Sequence, residues 1–126
     1  MRRKPVILMV EDDSYFAEVC ERHFGAHKFQ TKIVKNFSEA EKKINRSVPD
    51  IIIVDIALEE KTGLDWTKKI RKQEITSKIP IVVLTGIGDR ESVQESLKAG
   101  VNKYFLKSQT TPHELAEQIF SLNVKV

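Results

Sequence analysis

The stretch that most limits what this chain can become is Pro49-Asp50-Ile51-Ile52-Ile53-Val54-Asp55. Four β-branched residues in a row, between a proline and a carboxylate, read as a strand that is apolar on both faces. Such strands belong in the middle of a parallel sheet, where helices cover both sides. Asp55 falls where the chain must leave the core. Open α/β sheets put their chemistry at the carboxyl ends of parallel strands, so the question becomes what else arrives near Asp55. Pro80-Ile81-Val82-Val83-Leu84-Thr85 is a second run of the same kind.

The rest of the chain supplies the partners. Val6 to Val10 reads as a strand opened by Pro5, Thr31 to Val34 as a less apolar edge strand, and Lys103 to Leu106 as a fifth strand after the turn Gly100-Val101-Asn102. Between them lie helical patterns. Asp13 is placed to cap a helix whose Phe16, Val19, Cys20 and Phe24 share a face, with Gly25 near its end. Ser38-x-x-Glu41 has the form of a capping box, with Phe37, Ala40 and Ile44 facing inward. A polar loop is expected over Ala57 to Thr62, with Thr62 capping a third helix. Leu64 and Ile70 anchor that helix, Trp66 packs, and Lys68, Lys69, Arg71 and Lys72 form its wet side. Asp89 caps a fourth helix that has only Val93, Leu97 and Ala99 as anchors and is therefore expected to be held loosely. Thr111-Pro112-His113-Glu114 opens the last helix, which turns Leu115, Ile119 and Leu122 inward. Five strand–helix repeats in 126 residues predict one α/β domain, 1–126, with helices on both faces of a parallel sheet. With right-handed crossovers the expected strand order is 2-1-3-4-5, with its switch point between strands 1 and 3.

Composition narrows the function classes. Twenty-one basic against 18 acidic residues give +3, spread along the chain rather than gathered, which argues against direct nucleic-acid binding by this domain. The single cysteine, Cys20, excludes an internal disulfide and reads as packed core in a reducing compartment. Met1-Arg2-Arg3-Lys4 has the charge of a signal-peptide start, but the apolar run that follows is too short and ends in three acids. No stretch is long and apolar enough for a membrane, and a cytoplasmic protein is expected. His23 and His27 lie four apart, but with no third ligand evident they read as surface or packing residues, as does His113.

In the 2-1-3-4-5 layout the ends of strands 1 and 3 are neighbours. Glu11-Asp12-Asp13 then meets Asp55 in one crevice. Two carboxylates ~4 Å apart repel by roughly 4 kcal/mol at an effective dielectric of 20, so a cation must sit among them. Strand 4 ends in Thr85, a hydroxyl, and strand 5 ends just before Lys107, a cation long enough to reach across. An all-oxygen set selects a hard ion such as Mg2+ over zinc. Asp13 reads better as a helix cap. Glu11, Asp12, Asp55, Thr85 and Lys107 together do not read as caps and stray surface charge.

With these residues in view, the chain resembles, over its whole length, the receiver domains of bacterial two-component response regulators, of chemotaxis-regulator-like type. The matching pieces are Val10-Glu11-Asp12, Asp55 with Gly63 eight residues on, Thr85-Gly86, and Tyr104-x-x-Lys107. The resemblance implies a flavodoxin-like (βα)5 three-layer sandwich. It implies that Asp55 is the phosphoacceptor, taking a phosphoryl group from a phosphohistidine on a sensor histidine kinase or histidine phosphotransfer protein. It implies Mg2+ held by Asp12, Asp55 and the backbone carbonyl of Ala57, with Glu11 acting through water and Lys107 offsetting charge. Thr85 and Tyr104 would be the switch pair, read by a downstream effector domain or protein on the surface of the fourth helix, fifth strand and fifth helix. A homodimer through that surface is compatible with it. No turnover of an external substrate is expected, only gain and loss of the domain's own phosphoryl group.

Three departures from the family pattern carry expectations. Ser108 follows Lys107 where the family usually has a proline in a cis peptide, which predicts a different loop there, since a non-proline cis bond costs roughly 3–4 kcal/mol. Glu59 and Glu60 add negative charge after Asp55. Gly86 replaces the more usual alanine and leaves room for a phosphoryl group. Other readings fit less well. An aspartyl phosphatase wants a second acid two residues past its nucleophile, where this chain has Ala57. A flavin-binding protein needs a phosphate cradle where Glu11-Asp12-Asp13 would repel one. A degenerate docking module would not keep all five site residues. The chain stops shortly after its last helix, and both a free-standing receiver and part of a longer regulator fit that.

Overall fold

Pro5, Pro49 and Pro80 each sit just ahead of a strand, and the apolar runs that follow them form the middle of one sheet. The computed structural model describes residues 3–58, 60–86 and 88–124. The strands are β1 (Val6–Val10), β2 (Gln30–Val34), β3 (Ile51–Val54), β4 (Ile81–Thr85) and β5 (Lys103–Leu106). They alternate with α1 (Ser14–Ala26), α2 (Phe37–Arg46), α3 (Glu60–Lys72), α4 (Arg90–Lys98) and α5 (Pro112–Phe120). Every strand pair is parallel and the order is β2-β1-β3-β4-β5, the flavodoxin-like arrangement that the alternation predicts.

The doubly apolar strands do what their composition requires. In β1, β3 and β4 successive side chains go to opposite faces, as the two-residue period of a strand demands. Leu8, Val10, Ile52, Val54, Ile81 and Val83 join one core with α2 and α3. Ile7, Met9, Ile51, Ile53, Val82 and Leu84 join the other with α1 and α5. Ile51 through Val54 are at most 1% exposed, so both faces of β3 are dry. Cys20 is fully buried in the second core, and burial pushes its thiol up to about 12, which keeps it protonated and unreactive. Among the described residues no helix is long and apolar enough to cross a membrane.

Several local expectations give way. The capping box of α2 lies two residues earlier than Ser38-x-x-Glu41. Asn36 accepts from the Glu39 N–H, and Glu39 reaches back to the Lys35 N–H. Glu41 is instead used by Trp66, whose indole N–H donates to it at 2.8 Å, and by Lys69. Ala57 to Thr62 is not a loop. The chain turns through a 3-10 segment at Ile56–Leu58, α3 starts at Glu60, and Thr62 lies inside its first turn rather than at its cap. Gly25 is still helical, and the left-handed residue after α1 is Lys28, at φ 69°. Arg71 is not on a wet side. Its guanidinium donates to the carbonyls of Ser77, Ile79 and Gly100 and to Asn102 Oδ1, at 2.7–3.1 Å.

Helix α4 also differs from its expected anchoring. The buried residues at four-residue spacing are Ser92 and Ser96, while Leu97 is 50% exposed. The Ser96 hydroxyl is fully buried without a hydrogen-bond partner. A buried orphan hydroxyl costs about 1–3 kcal/mol. Ser96→Ala is therefore expected to stabilise the fold by about 1 kcal/mol, read as a higher urea midpoint with an unchanged slope. A lower midpoint would mean that the hydroxyl has a partner.

At the amino ends of the strands, Asp50 accepts the Val6 N–H at 2.7 Å and two hydrogen bonds from Arg3. Burial alone would raise its pKa, but the Arg3 and Val6 hydrogen bonds outweigh it and hold the carboxyl below its usual range. A depressed carboxyl stabilises the fold above its unfolded pKa of about 3.9, and the gain disappears as pH falls through the folded value. The stability gap between the wild type and Asp50→Asn is thus expected in full at pH 7 and to shrink as pH falls below the unfolded value of about 3.9. Urea titrations from pH 7 down through that range measure it.

Candidate functional site

The strand register brings the carboxyl ends level. Val10 of β1 lies opposite both Val34 and Val54, and Thr85 of β4 lies opposite Leu106. The next residues of the chain therefore emerge together. Glu11 leaves β1 with its N–H on the Val34 carbonyl, and Asp55 leaves β3 with its N–H on the Val10 carbonyl. Two acids are thereby fixed beside each other by backbone bonds alone.

Their side chains are nearly dry, Glu11 at 1% and Asp55 at 6% exposed. Lys107 comes from the end of β5 and reaches both. Its Nζ is 2.6 Å from Glu11 Oε1 and 2.9 Å from Asp55 Oδ2. The other oxygen of each acid is held by backbone. Ala57 N–H donates to Asp55 Oδ1 at 2.9 Å, and Asp13 N–H donates to Glu11 Oε2 at 3.1 Å. Asp13 also caps α1 by accepting the Phe16 N–H, as its position in the sequence suggests. Phe16 then lies under Lys107, with Nζ 4.9 Å from the ring centroid. This cation–π contact was not foreseen. An aromatic three residues past the cap, on a helix that starts at the strand ends, is the signal that points to it.

The electrostatics follow from burial. Desolvation raises the pKa of Glu11 against the opposing pull of Lys107 and the Asp13 N–H. Burial would lower that of Lys107, but its hydrogen bonds and charge contacts with Glu11 and Asp55 outweigh it and hold the ammonium more firmly protonated.

Glu11, Asp12 and Asp55 each present a carboxylate oxygen within 4.8 Å of the others, with Asp12 exposed and the other two buried. Fully ionised, three acids and one lysine leave two negative charges uncompensated. An all-oxygen set with one exposed member and that balance fits a hard divalent cation. Thr85 is fully buried at the end of β4. Tyr104 pairs with Val83, two residues before Thr85, so Tyr104 and Thr85 share a face of the sheet. Tyr104 is half-buried against the core on that face.

The departures at Ser108 and Gly86 have structural outcomes. The peptide bonds of the described residues are all trans, and Lys107–Gln109 forms a 3-10 turn that still delivers Lys107 to Asp55. A Cβ on Gly86 would meet nothing within 4 Å, consistent with open space there. Glu59 lies outside the described residues. His23 and His27 do not converge. His23 meets the ring of His113 edge-on, and His27 stacks on Phe120.

The family profile described as response regulator receiver domain matches residues 7–120. Over 115 residues the chain is 30% identical to chemotaxis protein CheY1 of Helicobacter pylori strain 26695, covering 90% of this chain and 92% of that protein. It is 27% identical to the phosphate regulon transcriptional regulatory protein PhoB of Rhizobium meliloti, over 89% of this chain and 49% of PhoB. The chain thus spans about half the length of the PhoB relatives it matches. The crystal structure of a putative response regulator from Chloroflexus aurantiacus superimposes with a TM-score of 0.84 at 28% identity, covering 95% of this chain and 98% of that one.

Proposed function

The chain belongs to the response regulator receiver domain family of two-component signalling, and from that premise we propose that residues 1–126 work as a cytoplasmic phosphorylation switch with Asp55 as phosphoacceptor. The observation that carries this reading is the setting of Asp55, gripped by Lys107 and the Ala57 N–H in a nearly dry pocket with two further acids. The donor is a phosphohistidine of a sensor histidine kinase or a histidine phosphotransfer protein. A carboxylate oxygen of Asp55 bonds to phosphorus as the P–N bond breaks. The imidazole leaves with the electron pair and is reprotonated from solvent. Water later attacks the acyl phosphate, returning Asp55 and inorganic phosphate, so no external substrate is turned over.

Phosphoryl transfer has a loose transition state and asks mainly for positioning and charge neutralisation. Here the Ala57 N–H holds Asp55 in place and Lys107 offers its ammonium to the equatorial oxygens. Asp12, Asp55 and the Ala57 carbonyl would hold Mg2+, with Glu11 acting through water. When bound, that ion supplies the remaining positive charge on the transferring group. A groove of about 540 Å³ between α1 and residues 107–112, rimmed by Tyr15, lies beside Lys107 and gives a donor protein a surface to approach.

Once Asp55 carries phosphate, the Thr85 hydroxyl turns to a phosphoryl oxygen and Tyr104, on the same sheet face, moves inward after it. The surface of α4, β5 and α5 changes, and a downstream effector domain or protein reads it, or a second copy docks there. The exposed Leu97 and the orphaned Ser96 support α4 as the element that moves. The domain itself contacts neither nucleic acid nor membrane.

Acetyl phosphate and Mg2+ are expected to add one phosphoryl group to the intact protein, mapped to Asp55 by hydride trapping. Phosphate found elsewhere, or none, would overturn the assignment. Asp12→Ala is expected to weaken Mg2+ binding by about ten-fold or more in a calorimetric titration, since it removes one charged ligand. An unchanged titration would remove Asp12 from the ligand set.

A further inference from the structure

The lysine that reaches Asp55 is held only lightly by the chain on either side of it. Lys107 leaves β5, an edge strand whose four residues are all half-buried. The 3-10 turn that follows has trans peptides and no side-chain cap, and it carries the exposed Ser108 and Gln109. No proline stiffens it. A four-carbon side chain has much rotamer freedom to lose before its ammonium stays in one place.

Three contacts locate that ammonium. Glu11 Oε1 lies at 2.6 Å, Asp55 Oδ2 at 2.9 Å and the centroid of the Phe16 ring at 4.9 Å. The two carboxylates have other duties. Both belong to the oxygen set that fits a hard divalent cation, and Asp55 gives an oxygen to phosphorus in the proposed transfer. Positive charge arriving among these acids weakens their hold on a second cation. The ring has no competing duty. The negative face of its π system attracts the ammonium in a half-buried setting whatever the acids are engaged in.

Phe16 is itself well placed to do this. It stands in the first turn of α1, and its N–H donates to Asp13 Oδ1, while the Asp13 N–H donates to Glu11 Oε2. The acid and the ring on which Lys107 rests are thereby positioned as one unit. We propose that Phe16 is a positioning residue for the phosphoryl transfer, its ring holding the Lys107 ammonium at the pocket while Glu11 and Asp55 are otherwise engaged. The ring does the work that a rigid turn after β5 would do. This role rests on Asp55 being the phosphoacceptor and deepens that reading.

The test uses acetyl phosphate and saturating Mg2+, because so small a donor needs no docking on the protein surface. Phe16→Leu keeps apolar bulk but removes the π face, and it is expected to slow phosphoryl uptake by about ten-fold. Phe16→Tyr and Phe16→Trp should stay within about three-fold of the wild type. The larger indole has room, since Phe16 lines the open groove beside Lys107. A packing role would reverse that ranking, with leucine tolerated best and tryptophan worst. In a Lys107→Met background Phe16→Leu should change the rate by less than about two-fold, because nothing is left for the ring to hold. In the resting protein, NMR should place the Lys107 ε-methylene protons upfield of those of the exposed lysines, and Phe16→Leu should move them back. Far-UV CD and urea midpoints establish that each variant is folded. Uptake by Phe16→Leu at the wild-type rate, with the label still on Asp55, overturns the proposal and leaves the phosphoacceptor assignment standing. Label on another residue overturns both. Equal slowing by Phe16→Leu with and without Lys107, or Lys107 resonances that do not respond to the substitution, also overturns the role of the ring.

Discussion

Asp55→Asn is expected to take up no phosphoryl group from acetyl phosphate or a phosphohistidine donor, a loss of more than about 10⁴-fold in initial rate. The amide has the shape of the carboxylate, and its oxygen can still accept from Ala57 N–H or from Lys107. What it lacks is an anionic oxygen able to bond to phosphorus. The fold should survive, because the substitution removes a nearly dry negative charge from a cluster of three acids and leaves Lys107 paired with Glu11. Intact-protein mass spectrometry after incubation with acetyl phosphate reads the first outcome, and a urea titration reads the second. Labelling of the variant at the wild-type rate would show that Asp55 is not the acceptor.

Arg71→Ala is expected to destabilise the domain by about 2–4 kcal/mol. One guanidinium satisfies the carbonyls of Ser77 and Ile79 in the α3–β4 connection and that of Gly100 in the α4–β5 turn. It also donates to Asn102 Oδ1, which in turn accepts the Ile81 N–H at the start of β4. Gly100 stands at φ +100°, where other residues are strained, and a Cβ there would lie 2.9 Å from Arg71 Cγ. The turn is thus shaped around the arginine. Truncation strands several half-buried carbonyls at once. Arg71→Lys should recover only part of the loss, because a single ammonium cannot reproduce a planar fork of donors. Urea midpoints of the three proteins measure this. A change under about 0.5 kcal/mol in Arg71→Ala would mean that the side chain is only surface.

The contrast between Asp55 and Arg71 explains what could be read before any coordinates. Asp55, Glu11 and Lys107 were legible because each directly follows an apolar strand, and parallel strands of known order bring their ends together whatever the helices do. Arg71 was hidden because helical periodicity sorts residues only by their own helix. Most of its partners are backbone carbonyls, up to 29 residues away, that no side-chain pattern marks. Helix α4 misled for a related reason. Its surface pattern offers Val93 and Leu97, but close approach to the sheet is achieved by the small Ser92 and Ser96. The capping box of α2 falls at Asn36 and Glu39 rather than at Ser38 and Glu41, and the acid read as part of the box, Glu41, instead accepts from Trp66, a residue 25 positions away that no local rule connects to it. The early start of α3 followed from the 3-10 turn at Ile56–Leu58, which no proline or glycine announces.

Gly63 has one more consequence. A Cβ at this position would come within 3.1 Å of the Ile56 backbone, so α3 can lean directly on the residue after Asp55. With its strand on one side and its own following helix on the other, the segment bearing the acid is splinted and has little slack to give. The wall beyond Thr85 is less crowded, since a Cβ on Gly86 would meet nothing within 4 Å. The candidate site is thus braced where α3 backs the residue after Asp55 and uncrowded where Gly86 follows Thr85.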